Sequence, residues 1–277
     1  LAAISTAHVG SYERNIRRNR QKRCERQANK MKAFSMTDVG MRREMNQDYI
    51  YASETPVGNL ANLFIVADGM GGHNAGDFAS RYTVEHVVKA VAGSGLSGPI
   101  ALLGTALRQA NAGLLALSAA DPRLRGMGTT FVGATIAGDC LYVANVGDSR
   151  LYKMNREIVQ VTKDHSLVQE MVRLGEMNQA QARIHPDKNI ITRAVGAVKD
   201  IEADFFEVNV TPGDRILLCS DGLTNMLDDQ EIFWILSGTK DLAQGVGQLV
   251  AAANRNGGKD NISVIIIDPF ADEVKEC

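Results

Sequence analysis

The sequence predicts an α+β fold, an α-β-β-α sandwich of two antiparallel β-sheets flanked by helix pairs, with a small helical insert. Three observations predict it. Strand-like runs arrive in two groups, and a pair of helical stretches follows each group. Short turns such as Ala137-Gly138-Asp139 and Asn155-Arg156-Glu157 join consecutive strands, as in an antiparallel meander.

Strand-like runs open the order at residues 32–39, 48–53 and 62–68. Val84, Val87, Val88 and Val91 then recur at helical spacing, and Leu103, Leu107, Ala110, Leu114 and Leu117 share one face of a second helix. Further strands are read at 129–138, 140–149, 150–155 and 157–162. Residues 166–186 interrupt them. Ser166 and Gln169 form a capping box, Leu167, Met171 and Leu174 lie on one face, Gly175 stops the helix, and a second short helix ends near Pro186. Strands return at 204–210 and 214–220, followed by helices at about 228–237 and 241–255. The latter carries Leu242, Val246, Leu249, Val250 and Ala253 on one stripe, and a last strand spans 261–268. With no internal repeat and no proline-rich linker, one domain is expected over 31–270. A basic extension at 1–30, expected to be flexible, precedes it, and a tail at 271–277 follows.

Composition bounds the function. The 277 residues are 45% hydrophobic and 22% charged, ordinary for a globular protein. The net charge of -2 hides an asymmetry: residues 1–30 carry +6, so residues 31–277 carry -8. Such a body repels a phosphodiester backbone, which argues against a nucleic-acid partner. Cys24, Cys140, Cys219 and Cys277 are scattered without paired spacing, which fits a reducing, cytoplasmic setting. No uninterrupted apolar run approaches the roughly 18 residues of a membrane span, and the N-terminus lacks the apolar core of a signal peptide.

The chemistry is expected at acidic strand ends. Asp68 ends "LFIVAD", Asp148 ends "YVANVGD", Asp221 ends "RILLCSD", and Asp260 opens "DNISVIIID". Each borders an apolar strand, so the ends can converge on one cleft. Like charges there raise one another's pKa unless cations balance them, and all-oxygen ligands favour Mn²⁺ or Mg²⁺. Zinc is disfavoured because no His/Cys cluster has ligand spacing. Glycines in "DGMGGHNAGD" allow a carbonyl such as that of Gly69 to approach a cation, whereas no GxxxxGK phosphate loop is present. One Asp-Gly pair is most simply a turn; the signal is the set. Two such cations a few ångströms apart can lower the pKa of a water and deliver hydroxide to phosphorus or carbon. Arg43, ahead of Asn46 and Asp48, offers a fork to phosphate, or is a solvated surface arginine; the sequence leaves those readings even.

In order, "GMRREMNQD", "VADGMGGH", "GTT", "VANVGDSR", "TKDHS", "TRAVG", "LLCSDGL" and "GGKDNISVIII" resemble the metal-dependent protein serine/threonine phosphatases of the PPM (protein phosphatase 2C) class. The likeness runs from about Met31 to Asp268 and is greatest to compact bacterial members that oppose transmembrane Ser/Thr kinases. The resemblance implies that Asp68 bridges two catalytic ions, that Gly69 contributes its carbonyl, and that Asp221 and Asp260 complete the first site. It also implies that Asp48 acts on the second ion, Asp148 on a third, weaker one, and Arg43 on the substrate phosphate. Residues from about 166 to 190 match a mobile flap beside the cleft, which the resemblance implies influences substrate choice. The implied partners are phosphorylated proteins, including a cognate kinase and its substrates, with the phosphatase itself expected as a monomer.

Two departures stand out. Gln47 replaces the glutamate of many members. His73 stands four residues beyond Gly69, where animal relatives place their general-acid histidine directly after Asp-Gly, so His73 is an acid candidate beside a water. His86 is read as structural, His165 as an anchor for the start of the flap, and His185 as a turn residue. No cysteine has Arg six positions on, and Asp68 does not open a DxDx[TV] run, which removes two other phosphatase chemistries. A phosphatase of small metabolites and a non-catalytic phosphoprotein-binding regulator remain as alternatives. The regulator is disfavoured because Asp68, Asp221 and Asp260 are all present.

Overall fold

In the computed structural model, which describes residues 31–71 and 75–271, the strands form two antiparallel sheets. One runs β1 (Lys32–Asp38), β11 (Ile262–Asp268), β10 (Arg215–Cys219), β7 (Arg150–Met154) and β8 (Ile158–Gln160). The other runs β2 (Asp48–Ser53), β3 (Leu63–Met70), β5 (Phe131–Ala137), β6 (Cys140–Val146) and β9 (Asp204–Asn209), with β4 (Gly128–Thr129) paired to the end of β3. The basic extension, His73, Cys24, Cys277 and most of the tail lie outside the described residues.

Alternation along the central strands builds the layers. Phe64 and Val66 of β3 point between the sheets and meet Leu218, Ile265 and Ile267. Leu63, Ile65 and Ala67 point the other way, onto α1 (Ala75–Ala92) and α2 (Pro99–Ala120). Both faces are buried, so β3 and β11 read as continuous apolar runs although their sheets are antiparallel. α2 is long and apolar enough to cross a membrane by length and composition, with a mean hydropathy of 1.3, but it buries Leu102, Leu103, Leu107 and Leu114 against α1 and its sheet.

The insert holds α3 (Leu167–Arg173) and α4 (Gln179–Ile184). Ser166 Oγ accepts from the Gln169 amide at 3.3 Å, and Gly175 ends α3 at φ 78°. The predicted Leu167/Met171/Leu174 stripe is not the buried one. Val168 is buried and Leu174 is 58% exposed, because a helix of seven residues on the rim of the fold has little to pack against. A single turn, α5 (Asp221–Thr224), follows β10 where the sequence offered no helical signal. Beyond it, α6 (Asp229–Ser237) and α7 (Leu242–Arg255) cover the first sheet. The predicted stripe is in place there, with Val246, Leu249 and Ala253 fully buried. The four-layer α-β-β-α sandwich is as expected.

Candidate active site

Arg43, Asp68, Gly69, Asp148, Asp221 and Asp260 line one cavity of about 260 Å³ at the end of the sandwich where both sheets present their loops. Asp48 lies beside it. Asp48 and Asp68 are register partners on β2 and β3, so their side chains share one face of the sheet. Asp68 is not the last residue of its strand: β3 continues through Gly69 to Met70, which pair with β4. Asp148 lies in the bend after β6 rather than on it, and Asp221 opens α5.

The "GTT" stretch holds Asp68 by its backbone. The Thr129 hydroxyl donates to the Asp68 carbonyl at 2.9 Å, and Thr130 Oγ1 accepts from the Asp68 amide at 2.9 Å. Gly69 donates to the Gln47 carbonyl at 3.0 Å, and a Cβ on Gly69 would run into the backbone carbonyl of Gly76. Close approach of α1 to β3 therefore requires glycine at this position. Gly222 is in the same situation against the Asn261 carbonyl.

Asn261 ties the arginine loop to the site. Its Nδ2 donates to the Val39 and Met45 carbonyls, each at 2.9 Å, and its Oδ1 accepts from the Gln47 amide at 2.9 Å. Arg43 is thereby held over Asp260, donating to Oδ2 at 2.7 Å. Asp260 Oδ1 accepts from the amide of Asn261. On the other side of the cavity, His165 anchors the insert as expected. It is buried, its Nδ1 accepts from the Gly147 amide at 3.1 Å, and its Nε2 lies 3.3 Å from Asp204. Gly147, at φ 100°, sets the bend that carries Asp148.

The electrostatics are those of an uncompensated acidic cluster. Burial pushes Asp48 up to about 7; the hydrogen bond from Ser220 opposes this, and the Asp221 and Asp260 charges add to it. Burial, then the Asp260 charge, pushes Asp221 up to about 6, while the Lys188 and Arg150 charges pull the other way. Asp68 is held well above the carboxylate range by burial and by the Asp48 and Asp221 charges. Asp148 is raised by burial and by Asp221.

The donor set is hard and oxygen-rich, with no His or Cys on the cavity wall among the described residues. Asp48 Oδ2 accepts from Ser220 Oγ at 2.8 Å and Asp221 Oδ2 from Asn225 Nδ2 at 2.9 Å, but Asp48 Oδ1 and Asp221 Oδ1 are buried with no donor. Orphaned buried carboxylate oxygens are costly, and a divalent cation answers that cost. Among the described residues no three such side chains are already drawn into one ligand cage; Asp260 is turned to Arg43 and Asp221 to Asn225. Sequence reasoning singled out neither Thr130, Asn261 and Ser220, which hold the acids, nor Asn189 and Ile191, which line the cavity. The first three sit in quoted stretches; Asn189 and Ile191 carried no signal beyond their place in or beside the insert.

The protein phosphatase 2C family profile matches residues 41–260. The serine/threonine phosphatase stp of Listeria monocytogenes is 38% identical over 248 residues, covering 86% of this chain and 96% of the relative. The solved serine/threonine phosphatase of S. agalactiae is 37% identical, covering 86% of this chain and 98% of that one, with a TM-score of 0.80. The catalytic domain of the protein phosphatase PstP, solved in complex with two manganese ions, is 33% identical at a TM-score of 0.76, covering 86% and 97%. This chain belongs to the protein phosphatase 2C family and is a protein serine/threonine phosphatase.

Proposed function

We propose that the acidic cavity is a two-cation centre at which a water attacks the phosphorus of a phosphoserine or phosphothreonine in one step. The P–O ester bond breaks, and the products are inorganic phosphate and the free hydroxyl. The observation that carries this reading is the pair of orphaned oxygens, Asp48 Oδ1 and Asp221 Oδ1, beside Asp68. Mn²⁺ or Mg²⁺, when bound, supplies a water acidified toward hydroxide and screens the phosphoryl charge. Asp68, the Gly69 carbonyl, Asp221 and Asp260 would hold the first ion, Asp68 and Asp48 the second, and Asp148 a third.

The remaining steps belong to the chain. Arg43 is half exposed at the cavity mouth and exchanges one anionic acceptor, Asp260, for another, the substrate phosphate. Thr129 and Thr130 keep Asp68 from shifting as charge develops. The leaving hydroxyl takes its proton from solvent or from His73. A cognate Ser/Thr kinase and its substrates supply the phosphoprotein, and the phosphatase acts as a monomer inside the cell.

The test is hydrolysis of p-nitrophenyl phosphate by the wild type and Asp221→Asn, each titrated with Mn²⁺ and with EDTA. Turnover that needs the ion and collapses in the variant is expected. Folded wild-type protein that stays inactive at millimolar Mn²⁺ would sink the two-cation centre.

A further inference from the structure

A second, larger cavity of about 470 Å³ adjoins the acidic centre and shares Asp148 and Asp221 with it as a common wall. The insert helices α3 and α4, strands β7 and β8, and the start of α6 enclose it. The mechanism above makes no use of this space.

Its charges can be sorted by partner. Arg150 is held by both oxygens of Asp164 and donates to the Tyr152 hydroxyl, which in turn donates to Asp229 at 3.0 Å. Asp228 caps α6, accepting from the Glu231 amide. Asp148 and Asp221 face the cation centre. Arg183 and Lys188, both on the insert and both lining the cavity, are left over: among the described residues neither side chain has an ion pair or hydrogen bond. Burial and then the Arg183 charge push the Lys188 ammonium below its usual range, so the two cations feel one another; the Asp221 charge on the shared wall attracts Lys188 and opposes the shift without forming an ion pair with it. Two like charges on one wall, in a partly desolvated space, favour an anion between them.

We propose that this cavity is a subsite for an acidic or second phosphorylated side chain of the substrate protein, bound by Lys188 and Arg183. The proposal rests on the phosphatase reading of the neighbouring centre. An extended substrate chain advances roughly 3.3 Å per residue. The two cavities adjoin across Asp148 and Asp221, so side chains a few positions from the reacting phosphoresidue pass over that shared wall. A small metabolite monoester has no such neighbour, so the subsite favours protein substrates and ranks them by flanking charge.

The experiment compares wild type with the double variant Arg183→Gln, Lys188→Gln. Substrates are matched phosphothreonine peptides carrying alanine, glutamate or a second phosphothreonine one to three positions to either side, with p-nitrophenyl phosphate as the flank-free control. Wild type is expected to prefer an acidic flank by about fivefold in kcat/KM, the scale of two partly exposed ion pairs. The double variant loses that preference when kcat/KM for each peptide is taken relative to p-nitrophenyl phosphate with the same protein. A charge-reversed pair, Arg183→Glu with Lys188→Glu, shifts preference toward a lysine flank. Equal kcat/KM for all peptides in wild type, or a preference that survives the double substitution, overturns the subsite. Weakened inhibition by inorganic phosphate with peptide preference intact assigns the cavity to a free anion and also overturns it. Wild type inactive even on p-nitrophenyl phosphate would instead overturn the reading of the centre.

Discussion

The Arg43 guanidinium donates to Asp260 Oδ2 at 2.7 Å, so the residue proposed to receive phosphate and a residue proposed to hold a cation share one hydrogen bond. Arg43 is 48% exposed, and an exposed ion pair of this kind is worth roughly 0.2–1 kcal/mol. It is weak enough to exchange for a phosphate.

Arg43→Ala is therefore expected to raise KM for a phosphopeptide about tenfold, the value of a charge-assisted fork, with a smaller loss in kcat. Arg43→Lys restores charge but not the bidentate geometry, so it recovers only part of the loss. Steady-state kinetics on one phosphothreonine peptide check both. An unchanged KM in Arg43→Ala would remove the residue from phosphate binding.

Asp221→Asn separates catalysis from stability. Turnover should fall by more than about 100-fold, the upper range for losing even an outer-shell partner of a bound ion. In EDTA, removing one member of a repelling buried cluster should raise the melting temperature, by about 2–4 °C for each 1 kcal/mol relieved. Calorimetry of both proteins in EDTA reads the second effect, and a lower melting temperature for the variant would contradict it.

The pH dependence of the metal-free protein has a defined sign. Asp48 at about 7 and Asp221 at about 6 lie above the unfolded aspartate value of about 3.9. Between those values the folded chain binds more protons than the unfolded one, so stability falls as pH rises from about 4 to 7. Thermal unfolding in EDTA should give a lower melting temperature at pH 8 than at pH 5. Mn²⁺ should raise it more at pH 8, where its binding has fewer protons to displace. A metal-free protein more stable at pH 8 than at pH 5 would contradict the burial of these carboxyls.

Gly222→Ala places a methyl group against the Asn261 carbonyl, and Gly69→Ala one against the Gly76 carbonyl. Both obstacles are backbone, which moves only with its strand or helix. Each variant is expected to lose about 1–3 kcal/mol in denaturant unfolding, and Gly69→Ala to lose Mn²⁺ affinity as well. A neutral Gly69→Ala would show that α1 can retreat from β3.

Much of the fold was legible because its signals are local. Val246, Leu249 and Ala253 recur at helical spacing whatever they pack on, and "NISVIIID" is bounded by turn residues. The acids too announced themselves, each beside an apolar run. Where local signal is thin, structure and sequence pattern part. In α3 the pattern points to Leu174 while the fold buries Val168, because two turns of helix fit several faces. The single turn α5 has no periodicity, so in the sequence Asp221 reads as a strand end rather than a helix start.

By itself the sequence determined the order of the longer elements, the four-layer architecture and the supply of carboxylates, because periodicity and turn chemistry act over a few residues. Only the tertiary structure decided what those carboxylates meet. Arg43 reaches Asp260 across 217 residues, Ser220 reaches Asp48 across 172, and Asn261 holds the Arg43 loop from the far end of the chain. Contacts at such separations exist only once the sheets have paired and packed. Which acid is orphaned, and which cation is left over, is a property of the assembled interior.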